Sequence, residues 1–268
     1  MAPLSPATYI MEDPREASRL ALKVNPDAWI KKYLAPHLFS GAEVLSVGCG
    51  PGNITRAITK LHPKVNATGI DVSPARIQQA KEASYNNPRA RFVCGDARQM
   101  KFASGGFDLV YSRMLLQYIQ DKETAVAEMV RVCKPGGVVL MQDLDGQLVW
   151  HYPEEALMQE TILRVMKSLS ETGFDPFVGR KLFWLGRNAG LENLHVQVEV
   201  YLLIAGEIDP AIFEQWGLKL EIARPRLVLA LGSEYEAEEE IRRFLNYLRR
   251  PDTLTYSNLF TVTGEKPL

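Results

Sequence analysis

The sequence predicts an α/β fold built on a doubly wound, mostly parallel sheet. Three observations lead there. Short apolar runs alternate with segments of helical periodicity from residue 41 to about 145. Turns rich in glycine or bearing aspartate separate several of these runs from the helices that follow. The 268 residues, 46% of them hydrophobic, suit one large domain, or one domain with an appended cap, better than two equal domains.

Asp13-Pro14-Arg15-Glu16 matches a capping box, and Asn25-Pro26 starts a second short helix, whose apolar face carries Trp29, Ile30, Tyr33 and Leu34. Glu43–Val47 is a first strand; Gly48-Cys49-Gly50-Pro51-Gly52 follows, then Ile54, Ala57, Ile58 and Leu61 at helical spacing. Asn66–Ile70 is a second strand ending at Asp71, after which Ser73-Pro74 supplies an N-cap and a first-turn proline. Arg91–Cys94 and Phe107–Ser112 are the third and fourth strands, and the next helix buries Ala125, Val126, Met129 and Val130. Lys134-Pro135-Gly136-Gly137 reads as a turn before a fifth strand, Val138–Asp143. Beyond it the pattern predicts helices at about 154–171 and 179–189, a strand in which Val196, Val198 and Val200 face one way, helices from Asp209-Pro210 and Ser233, and a last strand at Phe260–Thr263. Acids early and arginines late in the Ser233 helix complement its dipole and mark a solvated face.

Composition narrows the function classes. With 31 basic and 32 acidic side chains there is no electrostatic reason to expect a nucleic-acid or anionic-membrane partner. Apolar runs fall far short of the roughly 20 residues that cross a bilayer, and the N-terminus lacks the regions of a secretory signal. The expected location is the cytoplasm. Cys49, Cys94 and Cys133 have no metal-ligand spacing and read as reduced core residues, so no metal is expected.

The chemistry is carried by the first turns. A glycine loop lets backbone N–H groups approach a ligand. A dinucleotide fingerprint needs G-x-G-x-x-G, whereas Gly48, Gly50 and Gly52 spell G-x-G-x-G with Asn53 in the next position, which counts against a pyrophosphate. Asp71, 19 residues after Gly52, can accept from the two hydroxyls of a ribose, and Asp96, after Gly95, can accept from the amine of an adenine. Either aspartate alone is as readily a helix cap; two at consecutive strand ends beside the loop favour a ligand.

These motifs resemble the class I S-adenosylmethionine-dependent methyltransferases, in particular the small-molecule branch of ubiquinone and menaquinone C-methyltransferases and natural-product methyltransferases. The resemblance rests on Val44–Gly52, Gly69–Ser73, Gly95-Asp96-Ala97, Phe107–Val110 and Lys134–Gly137. It implies a Rossmann-like seven-stranded sheet with an antiparallel last strand, an N-terminal helical lid and a helical insertion. It also implies a division into a lid at 1–40, a cofactor-binding core at 41–145, and an acceptor-binding cover that completes the sheet at 146–268.

Carried onto this chain, it puts Gly48, Gly50 and Gly52 against the methionine moiety of S-adenosylmethionine, Asp71 on the ribose, and Asp96 with Gly95 and Ala97 at the adenine. Cys49, Asn53, Val72 and Arg76 join the cofactor contacts, and Ser112, Arg113, Met114 and Gln117 line the sulfonium side. Tyr9, Arg15 and Arg19 belong to the lid, where Tyr9 and Arg19 meet the cofactor. The activated methyl group needs in-line alignment and exclusion of water more than acid–base help. His151 is the candidate base, and Trp150, Tyr152, Phe174 and Phe177 are candidate contacts for a small, fairly hydrophobic acceptor. The apolar N-terminal helices could pack against a second copy as readily as over their own site. Two other readings stay open: a protein of this fold that binds the cofactor without methyl transfer, as a pericyclase or regulator, and an NAD-dependent oxidoreductase, which the glycine spacing disfavours.

Overall fold

The computed structural model of the protein describes residues 25–268. Tyr9, Arg15 and Arg19, expected in the lid, lie outside the described residues. Seven strands form one sheet in the order β3-β2-β1-β4-β5-β7-β6. β1 (Glu43–Val47), β2 (Asn66–Asp71), β3 (Ala90–Cys94), β4 (Phe107–Arg113) and β5 (Cys133–Tyr152) pair in parallel. β7 (Leu254–Glu265) runs antiparallel between β5 and β6 (Glu192–Ala205).

Alternate side chains of the central strands feed two cores, as the pleat requires. On one face Leu45, Val110 and Val139 pack with α4 (Lys122–Val132) and α6 (Leu182–Asn188). On the other, Val44, Leu109 and Leu140 pack with Ile58 of α2 (Asn53–Leu61) and with the N-terminal helix. Each such fully buried aliphatic side chain contributes roughly 1.5–3 kcal/mol. Asn25 caps the N-terminal helix, α1 (Pro26–Trp29), which continues as a wider π turn over Ile30–Leu34 and a tighter 3-10 turn over Ala35–His37. Its apolar face is used within the chain: Trp29, Ile30 and Leu34 are buried in the second core. Lys32 and Tyr33 both hydrogen-bond Glu199 on β6, and so tie this segment to the far edge of the sheet.

Ser73 caps α3 (Pro74–Glu82) as its position before proline predicts. Two expectations change. Lys134–Gly137 is a bulge inside β5 and not a turn before it: Phe107 faces Cys133 and Leu109 already faces Val138, so the loop is absorbed while the ladder continues. A second bulge lies between Asp145 and Trp150, and pairing with β7 then carries β5 on to Tyr152. Cys94 is exposed at the C-terminal end of the edge strand β3, where the alternation that buries Ala90 and Phe92 stops; Cys49 is half-buried and Cys133 buried.

Beyond the sheet, α5 (Ala156–Glu171), α7 (Pro210–Leu231) and α8 (Glu234–Leu248) form a cover with small cores of their own around Trp216 and Val165. Ser233 caps α8, and the pairs Glu239–Arg242 and Glu240–Arg243 lie one turn apart along it. No helix of the described residues is long and apolar enough to cross a membrane.

Candidate cofactor and acceptor site

The turn from β1 into α2 is built by backbone conformation. Gly48, Gly50 and Gly52 take φ of 70°, 53° and 76°, where a side chain is strained. Gly48 N–H and Cys49 N–H both donate to the Ile70 carbonyl, at 2.8 and 3.0 Å, which clamps the loop to the end of β2. The glycines differ in their surroundings. A Cβ on Gly52 would lie 2.5 Å from Phe92 Cε1, and one on Gly48 would lie 2.6 Å from Leu115 Cδ1, whereas one on Gly50 would meet nothing within 4 Å. Gly50 therefore faces a cradle open to a ligand.

Asp71 binds both ends of this turn system. Its Oδ2 accepts Gly50 N–H at 2.7 Å and its Oδ1 accepts Ser73 N–H at 3.0 Å. Each carboxylate oxygen has a further lone pair, so two hydroxyls can still be accepted. Burial pushes the Cys49 thiol well up, and Cys49 Sγ would lie 2.7 Å from a Cβ on Gly69, so this side chain packs between strands. Asn53 Oδ1 accepts from Arg56 at 2.6 Å. Val72 is exposed beside Asp71, and the Arg76 backbone N–H closes the Ser73 cap.

Asp96 is more occupied. The Arg98 backbone N–H and guanidinium reach both carboxylate oxygens, at 2.6 to 3.1 Å. Burial would raise its carboxyl, but the hydrogen bonds from Arg98 outweigh that and hold it below the usual range. Gly95 N–H donates to the Asp71 carbonyl at 2.9 Å, and Ala97 packs on the first core.

At the exit of β4, Ser112 is buried and Met114 takes a φ of 53°, unusual for a non-glycine residue, with its N–H on the Gln142 carbonyl at 2.8 Å. Arg113 lies 5.9 Å from the Trp29 ring centroid and pairs in register with Gln142. Gln142 accepts from Trp29 Nε1 at 2.8 Å and donates to Thr261 at 2.7 Å, so a buried polar chain connects α1 to the strand ends.

Asp143 is a residue that the sequence reading missed. It is 1% exposed; its carboxylate accepts Gln117 N–H at 3.2 Å and Leu144 N–H at 3.0 Å. Complete burial raises its carboxyl to about 7, against the opposing effect of those backbone donors. It fixes the turn that carries Leu116, Gln117 and Tyr118. A sequence signal existed, namely Asp143 and Asp145 close behind the apolar run Val138–Met141. Asp145 is also buried and is held by Arg180.

The acceptor candidates separate. Phe174 lies 5.3 Å from Tyr118, ring to ring, and both line an apolar chamber with about 1150 Å³ of empty space, its open mouth included. The chamber is walled by α5, α7 and α8, with Trp216 and Phe244 among its aromatics. Trp150, His151, Tyr152 and Phe177 are not in its lining. His151 Nδ1 lies 3.0 Å from Thr255 Oγ1, and its ring packs edge-on against Phe244 and Tyr247; it is one aromatic ring behind the chamber wall. Tyr152 is 71% exposed, Trp150 is half-buried, and Phe177 stacks under Arg180.

Comparison with known proteins agrees with this layout. Residues 44–137 match the family described as Methyltransferase domain. The 2-methyl-6-phytyl-1,4-hydroquinone methyltransferase of Synechocystis is 33% identical over 126 residues, 46% of this chain and 39% of that protein. Trans-aconitate 2-methyltransferase of Enterobacter is 34% identical over 119 residues, 44% of each chain. Phosphoethanolamine N-methyltransferase 2 of Haemonchus contortus, solved with phosphomonomethylethanolamine and S-adenosylhomocysteine, has the same fold at 19% identity, with a TM-score of 0.58 over 90% of this chain and 52% of that one. The chain spans less than half the length of the two sequence relatives. Sheet order, glycine turn and family match agree on the class: residues 44–137 are similar to the methyltransferase domains that use S-adenosylmethionine.

Proposed function

We propose that this protein transfers the methyl group of S-adenosylmethionine to a small, fairly hydrophobic molecule, at carbon, nitrogen or oxygen, in the cytoplasm. One observation carries the reading. The apolar chamber reaches Tyr118, the neighbour of Gln117 in the turn that Asp143 holds at the exit of β4, beside the strand ends where the glycine cradle opens. An apolar acceptor in the chamber and a cofactor in the cradle would thus meet at that turn.

S-adenosylmethionine brings a methyl group already activated by sulfonium charge. The chain's own work is then binding and alignment. Gly48, Gly50 and Gly52 admit the methionine moiety to the backbone, and Asp71 takes the ribose hydroxyls on its free lone pairs. Asp96, with Gly95 and Ala97, borders the adenine, with Arg98 limiting how many further hydrogen bonds its carboxylate can accept. Ser112, Arg113, Met114 and Gln117 shape the sulfonium side, and the chamber walls exclude water while holding the acceptor in line. His151 would act as base only for an acceptor that reaches past Phe244.

The test is transfer of labelled methyl from S-adenosylmethionine to a panel of apolar acceptors, read by mass spectrometry. Labelled product with equimolar S-adenosylhomocysteine is the expected result. Cofactor binding with no product across the panel would favour a protein that keeps the site without the transfer. His151→Ala should lower turnover more than cofactor affinity, and an unchanged rate would remove His151 from the chemistry.

A further inference from the structure

We infer that the apolar chamber is a slot for a long hydrocarbon chain, and that its occupant is lipid-like, with its head at Tyr118 and Phe174 and its chain running toward Trp216. The claim that this occupant is the methyl acceptor rests on the methyltransferase reading. The lining residues of α5, from Met158 to Leu169, and of α7, from Trp216 to Leu231, recur at helical spacing along one face of each helix. Met158 shares a small core with Trp216, and Val165 shares another with Leu231, so the two helices run side by side in the same direction. The chamber follows their seam. With a rise of about 1.5 Å per residue, Met158 and Leu169 lie about 16 Å apart along α5.

An aromatic pair stands at each end of the seam. Phe174 follows α5 with its N–H on the Leu169 carbonyl at 3.2 Å, which brings the Tyr118–Phe174 pair to the Leu169 end. Trp216 and Phe244, with ring centroids 5.9 Å apart, belong to the core that holds Met158 and mark the other end. Between the pairs α5 presents Ile162, Val165 and Met166, with Thr161 as the polar side chain of its stripe. The charged members of the lining come from α7 and α8 and are half-buried. A compact ring beside Tyr118 would leave the far end unfilled, whereas a chain covers the stripe and asks it for no hydrogen bond. A zigzag of about 1.5 Å bonds advances roughly 1.3 Å per carbon, so a span of about 16 Å takes about twelve carbons.

The straight-chain alcohols hexanol, octanol, decanol and dodecanol test this when titrated into the full chain by calorimetry, each below its solubility limit. Beside them goes 2-butyloctanol, an isomer of dodecanol that is as apolar but shorter and branched, and S-adenosylhomocysteine is titrated separately. Each added methylene should tighten binding by about threefold to fourfold, through dodecanol. Dodecanol should also bind at least about tenfold more tightly than its branched isomer, whose side branch has no room in a slot. Ile162→Trp would fill the seam between its aromatic ends; it should cancel the gain beyond octanol and leave hexanol and S-adenosylhomocysteine binding unchanged, hexanol doubling as the control for folding. Should that variant lose hexanol too, the isomer comparison on the unaltered protein decides. A gain that stops at octanol in the unaltered protein, equal affinity for the two isomers, no binding of any alcohol, or a gain that survives in a folded Ile162→Trp protein would overturn the inference. Failure of S-adenosylhomocysteine to bind the unaltered protein, with the chain-length gain intact, would overturn the methyltransferase reading instead.

Discussion

The glycine turn after β1 and the helical cover over the chamber are organised by opposite means. In the turn, backbone conformation does the shaping: three glycines at positive φ, two N–H groups on one carbonyl, and a carboxylate that ties the loop to the next helix. In the cover, three helices, one of them interrupted by an interior Pro225, leave a space because their side chains do not fill it. A site made by backbone tolerates little change and binds one kind of ligand. A site made by packing can be re-cut one side chain at a time, which suits the proposed cofactor at one end and the proposed acceptor at the other.

The largest effect should come from the turn itself. Gly52→Ala combines a positive φ with a Cβ 2.5 Å from Phe92, and overpacking plus left-handed strain should cost about 2 to 5 kcal/mol. Gly50→Ala has the strain without the collision, so about 1 to 2 kcal/mol is expected. Its added methyl enters the cradle, however, and S-adenosylhomocysteine affinity should fall at least tenfold. Thermal unfolding and calorimetry on both variants check this. A Gly50→Ala protein that binds as tightly as the parent would remove Gly50 from the site.

This contrast also explains what could be read before the fold was known. A positive φ calls for glycine and a strand-end carboxylate shows its position, so the Gly48–Gly52 turn, Asp71 and the first four strands are visible in the chain. The chamber is not, because Met158, Thr161 and Val165 repeat at the spacing of any core-facing helix, and only the fit of α5 against α7 and α8 leaves space. The reach of β5 to Tyr152 was hidden by its two bulges, whose glycines read as chain breaks until β7 supplies the partner. That extension moves His151 from a loop into a strand behind Phe244.

Asp143 brings pH into the comparison, as a buried charge at the junction of the two regions. Its carboxyl is raised from 3.8 to about 7 by burial. Between these values the folded chain holds a proton that the unfolded chain has released, so this group's stabilisation is complete below the lower value and is lost as pH rises through the upper one. Stability from this source should fall by on the order of a few kcal/mol between pH 4 and 7. Asp143→Asn should flatten the slope in a series of melting curves; parallel slopes for variant and parent would show that Asp143 does not titrate there. A smaller effect is expected at the cofactor end. Asp71→Ala removes the acceptor for Gly50 and Ser73 and should weaken S-adenosylhomocysteine binding by about 1.5 to 3 kcal/mol. Unchanged affinity would take Asp71 out of the site.

The gentlest change tests whether the two regions are separable at all. Ala223 lines the chamber on α7, and Ala223→Leu would push a branched side chain into empty space without a new polar group or a backbone demand. Leucine keeps the helix propensity close to that of alanine, and filling space in an apolar wall offsets any crowding, so stability should stay within about 1 kcal/mol of the parent. Octanol and acceptor affinity should drop severalfold while S-adenosylhomocysteine affinity is untouched, because the cradle at Gly50 owes nothing to α7. A matching loss of cofactor affinity would mean that the cover also shapes the cradle, and the division into a backbone-built end and a packing-built end would not hold.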